Sequence, residues 1–200
     1  MPKAPGTVTI VNVGYRSTNF WVVSAGRSRL LIDLGWPGMI APLLANLARK
    51  DIPLQELSHG FATHYHIDHA GAAQDLKNLG MRLIVAHEQV DSIAAMKQWT
   101  KPTDGYTEIK ANDNTVVSCA ESRELLSSLG FAGQLVHTPG HSDDSVSLVL
   151  DDGSAFTGDL TIPSMAVEED AEVVAKSWQA LRDCGATTIY AGHGPPRDFR

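Results

Sequence analysis

The sequence predicts an α/β protein built as a four-layer αββα sandwich, two sheets packed face to face with helices outside. Three observations predict it. Short strands open the chain as a hairpin, a second set of strands occupies the later part, and stretches with apolar residues at helical spacing interleave with both. Each of those stretches has one apolar face, which must cover a sheet.

Thr7 to Val13, Phe20 to Ser24 and Ser28 to Leu34 read as three strands, the last two joined by Ala25-Gly26-Arg27 as a hairpin. After the Trp36-Pro37-Gly38 turn, Met39, Ile40, Leu43, Leu44 and Leu47 recur at helical spacing on a helix that ends near Asp51. A strand follows at Gly60 to Thr63. Next come a helix around Gly71 to Leu79, with Ala72, Ala73, Leu76 and Leu79 inward, a strand at Arg82 to Ala86, and a helix from Glu88 to about Trp99. Lys101 to Asn114 carries proline, glycine, aspartate and asparagine without sustained periodicity, so a long loop and candidate lid is expected there. The remainder reads as a helix at Ser122 to Leu129, strands at Gln134 to His137, Ser145 to Leu150 and Ala155 to Thr157, a helix from about Glu169 to Asp183, and a last strand at Thr187 to Tyr190. With no repeat, linker or low-complexity segment, residues 1–200 are expected to form a single domain.

Hydrophobic residues make up 43% of the chain and charged residues 20%, which places it among ordinary soluble globular proteins and excludes disordered and fibrous classes. The net charge of −7, with no run of Lys or Arg, gives no electrostatic footprint for a phosphate backbone. The expected partner is a small-molecule substrate, not nucleic acid. Cys119 and Cys184 stand far apart and outside any Cys-x-x-Cys pattern, so neither a disulfide framework nor a thiolate zinc site is indicated. Met1 to Gly14 lacks the continuous apolar core of a signal peptide, from which a cytoplasmic location is expected. No stretch approaches the roughly 18 consecutive apolar residues of a membrane helix, so no membrane association is expected.

The decisive segment is Thr63-His64-Tyr65-His66-Ile67-Asp68-His69, which follows a strand and precedes a helix. In extended chain His64 and His66 point to the same side, so both imidazoles can reach one ion, while Asp68 and His69 sit where the chain turns into the helix. Four such ligands exceed what one four-coordinate ion can take while keeping an open catalytic position, which argues for two ions. Three further strand ends carry a glycine just before a ligand-type residue: Thr138-Pro139-Gly140-His141, Phe156-Thr157-Gly158-Asp159 and Tyr190-Ala191-Gly192-His193. Glycine lets the backbone bend and approach closely, as loops converging on a metal require.

Taken in this order, the four segments resemble the metallo-β-lactamase superfamily, whose His-x-His-x-Asp-His signature is followed by a single His, a bridging Asp and a final His. Every one of those positions is filled, and Leu31-Ile32-Asp33-Leu34-Gly35 looks like the family's early strand ending in Asp and Gly. The resemblance runs from the N-terminal hairpin through His193. It implies the sandwich of the metallo-β-lactamase type, with His64, His66 and His141 on one ion, Asp68, His69 and His193 on the other, and Asp159 bridging. It implies two divalent metal ions, zinc foremost, although imidazole and carboxylate ligands also suit iron or manganese.

What the resemblance implies of function is a metal-dependent hydrolase in which a dinuclear metal-activated hydroxide cleaves a small ester, lactone, thioester or related substrate. Asp68, beside the second ion, is the candidate catalytic residue, able to take or relay a proton as the bond breaks. Other members carry features not read here: a helical, basic C-terminal extension in a glyoxalase, long inserted arms and a basic surface in tRNA-processing nucleases, secretion in the classical β-lactamases. The alternatives are a non-heme iron redox enzyme such as a persulfide dioxygenase, a β-lactamase or phosphodiesterase of the same fold, and a degenerate binding module, against which the complete ligand set speaks.

Outside the ligand set, His59, His87 and His137 are expected to be ordinary structural histidines. Asp33 reads equally as an acceptor orienting a ligand histidine or as a turn-capping residue. The segment from Trp99 to Thr115 is expected to line or cover the substrate entrance, with Tyr106 the candidate substrate-binding residue and Trp99 a possible apolar wall.

Overall fold

The computed structural model describes residues 8–199; Thr7, assigned to the first strand, lies outside the described residues. Two mixed sheets carry the fold. The first comprises β1 (Val8–Asn12), β2 (Trp21–Ala25), β3 (Ser28–Ile32), β4 (Leu57–Phe61), β5 (Arg82–Ala86) and β6 (Thr115–Val117), in that order across the sheet. Its first three strands pair antiparallel and the rest parallel. The second sheet comprises β7 (Gly133–His137), β8 (Val146–Leu150), β9 (Ser154–Gly158), β10 (Thr188–Ala191) and β11 (Arg197–Asp198), in the spatial order β11, β10, β9, β8, β7. The helices are α1 (Ile40–Arg49), α2 (Ile67–Ala70), α3 (Ala73–Asn78), α4 (Val90–Ala95), α5 (Ser122–Ser128) and α6 (Ala171–Asp183).

The period of two along the strands sorts their side chains into three apolar layers. From β2, β3 and β5, Val22, Leu31, Leu83 and Val85 face outward onto Leu43 and Leu47 of α1 and Leu76 of α3. Their neighbours Trp21, Val23, Leu30, Ile32 and Ile84 face inward and meet Leu148, Leu150 and Phe156 of the second sheet. Beyond it, Val149, Ala155 and Ile189 turn outward onto Val174, Trp178 and Leu181 of α6. Helix, sheet, sheet and helix therefore follow one another, as predicted. Leu126 of α5 joins the layer between the sheets. No helix among the described residues is long and apolar enough to cross a membrane.

Several boundaries differ from expectation for local reasons. The strand expected from Gly60 begins at Leu57, because Ser58 and His59 interrupt the apolar pattern while the ladder with β3 already runs from Arg29↔Leu57. The helix expected over Gly71 to Leu79 begins only at Ala73, as α3, and a separate single turn, α2, precedes Gly71. At the break the Ala72 amide donates to the Gly35 carbonyl (3.2 Å), and a side chain at Gly71 would collide with Pro37. Leu79, expected inward, is 51% exposed because α3 ends at Asn78 and the chain turns through Gly80. The helix expected from Glu88 to Trp99 is regular only over α4, flanked by 3₁₀ turns. Two short edge strands, β6 and β11, fall below the length at which alternation registers, so Thr187 to Tyr190 is not the last strand.

Candidate metal centre

The Thr63–His69 segment leaves β4 at the end of the first sheet, whereas His141, Asp159 and His193 follow β7, β9 and β10 of the second. The two sheets are pinned together here by the Val146 amide, which donates to the Thr63 carbonyl at 2.8 Å. Buried Gln89 adds further ties: its side-chain amide donates to the carbonyls of Ala62 (2.9 Å), Thr63 (3.1 Å) and Asp144 (3.3 Å). The Asp144 carboxylate accepts from the Tyr65 amide at 2.8 Å. These contacts fix the backbone on which the histidines stand.

Two groups of side chains converge, His64 with His66 and His141, and Asp68 with His69, Asp159 and His193, each with its candidate ligand atoms within 4.8 Å of one another. In the second group His69 Nε2 lies 3.4 Å from Asp68 Oδ2 and 3.3 Å from Asp159 Oδ1. His193 Nε2 lies 3.4 Å from Asp68 Oδ2 and 3.3 Å from Asp159 Oδ2. Nitrogen and oxygen ligands about 2.0–2.1 Å from a tetrahedral ion stand about 3.3–3.4 Å apart, so the spacing is that of a coordination shell. In the first group His66 Nδ1 and His141 Nε2 are 3.1 Å apart. Asp159 Oδ2 also lies 3.8 Å from His141 Nε2, so its carboxylate faces both groups.

Polar-group accounting supports the same use. His64 Nε2, His69 Nε2 and Asp159 Oδ1 are buried without a hydrogen-bond partner, an arrangement that costs about 1–3 kcal/mol for each such group unless something coordinates it. The opposite ring nitrogens are occupied. His69 Nδ1 donates to Asp33 Oδ2 (2.9 Å) and His193 Nδ1 to the Ser17 carbonyl (2.6 Å), because neither oxygen carries a proton to give. Thr63 Oγ1 gives its proton to Asp33 Oδ1 (2.9 Å) and so accepts from His64 Nδ1 (3.2 Å). Three Nε2 atoms are thereby aimed inward.

Asp33 is thus an orienting acceptor, one of the two roles left open by the sequence. It occupies the left-handed region (φ 60°), which Asp tolerates better than most side chains. Glycine has a steric role beside the cluster: a Cβ at Gly192 would collide with Asp159 Oδ1 and His69, and one at Gly158 with Thr63 Oγ1.

Burial, reinforced by the surrounding histidines, holds the His64 pKa well below its ordinary value, so its imidazole is neutral and able to ligate. Burial opposes charge on His69 too, but the charges of Asp33 and Asp159 and the hydrogen bond to Asp33 outweigh it and raise that pKa well above the ordinary value. His141 is lowered, first by burial, against the pull of Asp159. Burial works to raise Asp159, yet the adjacent His69 and the charges of His193 and His141 bring it below the usual carboxylate range. The cluster is electrostatically suited to cations.

Sequence reasoning missed Thr18, Asn19, Gln89 and Asp144. Trp36 Nε1 donates to Thr18 Oγ1 (3.2 Å), which donates to Asp68 Oδ2 (3.1 Å). Asn19 Nδ2 donates to the carbonyls of Ala191 (3.0 Å) and Gly194 (2.7 Å), holding the loop of His193. In the sequence these residues look like ordinary turn formers, and only the pairing of distant segments reveals them. His59, His87 and His137 lie outside both groups. Tyr106 is not brought to the cluster: its ring packs on the layer beneath α1 and α3, with the hydroxyl buried and unpartnered. Trp99 is 66% exposed, and neither residue lines the cavity at His141, Asp159 and His193. The segment expected to be a lid is strapped to α3, where Lys77 Nζ donates to Asn112 O (2.9 Å) and the Lys110 amide to Gln74 Oε1 (2.9 Å).

A family profile described as the metallo-beta-lactamase superfamily matches residues 13–193. The chain belongs to the metallo-β-lactamase superfamily. It is 30% identical over 183 residues to a beta-lactamase-like protein 2 homolog of Drosophila melanogaster, covering 90% of this chain and 59% of that protein. It is 29% identical over 187 residues to an atrochrysone carboxyl ACP thioesterase of Claviceps purpurea, covering 90% and 52%. The chain thus spans little more than half the length of these metallo-β-lactamase relatives. Among solved structures of the fold, TTHA1623 in a di-iron-bound form superposes with a TM-score of 0.71 at 23% identity, covering 96% of this chain and 94% of that one.

Proposed function

We propose that this chain is a hydrolase dependent on two divalent metal ions, acting on a small ester, lactone or thioester. The observation that carries the reading is the Asp159 carboxylate, which stands between a three-histidine group and a second group containing Asp68, His69 and His193, with ligand atoms at coordination spacing. A thioesterase among the similar proteins supports acyl transfer to water as the reaction class. Bound divalent ions would supply a lowered pKa for water and polarisation of the scissile carbonyl.

The chain's own residues then have distinct tasks. His64, His66 and His141 would hold one ion and Asp68, His69 and His193 the other, with Asp159 between them. Thr18 and Asp33 keep Asp68 and His69 in position from behind. Asp68, held at Oδ2 by the Thr18 hydroxyl, would take up a proton as the bond breaks.

Metal analysis of the purified protein, followed by a panel of esters, lactones, thioesters and a β-lactam with oxygen uptake recorded in parallel, tests the reading. Two metal equivalents and hydrolysis of an acyl substrate are expected, with Asp159→Ala losing turnover while the fold survives. A single ion held remote from Asp159, or oxygen consumption without hydrolysis, would overturn it.

A further inference from the structure

We propose that Arg197 forms an anion-binding subsite beside the metal centre, so that the substrate carries a carboxylate or phosphate near the bond that is cleaved. The inference rests on the hydrolytic reading and narrows its substrate class. A cavity of about 270 Å³ is lined by His141, Asp159 and His193 together with Leu160 and Arg197. Apart from the histidines, Arg197 is the one basic residue in that lining.

Its charge is not consumed by the protein. Among the described residues, the Lys and Arg side chains in salt bridges are Arg29, Lys97, Arg123 and Lys176. Asp159, the acidic group of the cavity, is already met by His69 and His193 at 3.3 Å. Asp198 is adjacent in β11, where alternation directs successive side chains to opposite faces.

Arg197 is exposed to solvent but braced. Its guanidinium carbon lies 5.4 Å from the centre of the Trp178 ring. That ring is 3% exposed, donates through Nε1 to the Thr161 carbonyl at 2.7 Å, and packs on Phe199 at 5.0 Å. The backbone of Arg197 pairs with Ile189 in β10, the strand that runs on into His193. One hairpin therefore carries both a candidate metal ligand and a cation braced on an aromatic platform. A guanidinium so held offers a planar fork of donors that matches a carboxylate or phosphate. The volume falls just below the roughly 300 Å³ at which ligand pockets usually begin, and suits a short acyl chain lying along Leu160 with its acid on Arg197.

The test uses the zinc-loaded protein and ligands that differ in a second charge. Butyrate has one carboxylate to present to the ions, glutarate has a further one for Arg197, and 4-phosphonobutyrate replaces the further one by a phosphonate. By calorimetry glutarate or the phosphonate should bind about tenfold or more tightly than butyrate, the better of the two naming the acid, and R197A should reduce the preference to about twofold or less. In parallel, R197A should lower kcat/KM for monophenyl glutarate by about 10- to 100-fold and leave phenyl butyrate within about twofold. R197K, which keeps the charge without the fork, should fall between. Equal affinities in the unaltered protein, or a preference that survives R197A, would overturn the subsite. Ester turnover without any charge preference leaves hydrolysis standing and removes the subsite. An Arg197-dependent glutarate preference without turnover of any ester, lactone, thioester or β-lactam supports the subsite and removes the hydrolytic reading.

Discussion

Asp33 uses one carboxylate oxygen to accept from the Thr63 amide and hydroxyl (2.8 and 2.9 Å) and the other to accept from His69 Nδ1 (2.9 Å). A buried side chain of three short bonds thus sets the start of the ligand segment and the ring of its last histidine. An amide in its place has one oxygen and one NH₂, so Asp33→Asn can satisfy Thr63 or His69 but not both. The variant should keep its fold and lose roughly 10- to 100-fold in metal affinity, the usual cost of removing an outer acceptor, measured by competition with a chelator. Unaltered affinity would mean that His69 is oriented without Asp33. The role was half legible: an Asp and Gly at the end of an early strand could be noticed, but whether the carboxylate capped a turn or reached a histidine 36 residues away depended on pairing between β3 and β4.

Elements were legible in proportion to their length and their contrast between faces. Helices α1 and α6 and strands β2, β3, β5 and β8 carry long apolar periods, and their expected positions agree with the structure within a few residues. The misplaced pieces share a physical cause. At Gly71 and Ala72 the tertiary contact with Gly35 and Pro37 delays the start of the expected helix to Ala73, and at β6 and β11 two or three residues gain a strand only by lying beside a longer one. The seven ligand-type residues could be named in advance because their chemistry is written in residue type and spacing, whereas Thr18 and Arg197 have no such mark. The glycine before each later ligand belongs to this scale, since it decides how closely two loops approach. Gly192→Ala would push its methyl into Asp159 and His69. Circular dichroism should be unchanged while metal content falls from two equivalents toward one or none; full loading would show that the loops can separate without losing the site.

At the scale of the whole molecule, the candidate ligands divide between the sheets: the Thr63–His69 segment belongs to the first, His141, Asp159 and His193 to the second. The apolar layer between the sheets holds the sandwich together, yet at this rim the polar ties through Thr63, Gln89 and Asp144 stand beside a cluster in which buried His64 Nε2, His69 Nε2 and Asp159 Oδ1 have no partner within the protein. Ions that bind only the folded arrangement stabilise it by mass action, by about 4 kcal/mol at a thousandfold excess over the dissociation constant. For a domain of this length each kcal/mol moves the melting temperature by about 2–4 °C. Stripping metal with a chelator should therefore lower Tm by roughly 8–16 °C, and restoring zinc should recover it. The loss should also be local. Amide exchange should quicken in the loops at 62–69, 138–141, 158–160 and 191–194, while β2, β3, β5 and β8, buried on both faces, keep their protection because the layers that cover them contain no ligand. A melting temperature indifferent to chelation would mean that the sheets meet at this rim without help from ions. Exchange that quickened evenly through β2 and β8 would mean instead that the ions support the sandwich as a whole and not its rim.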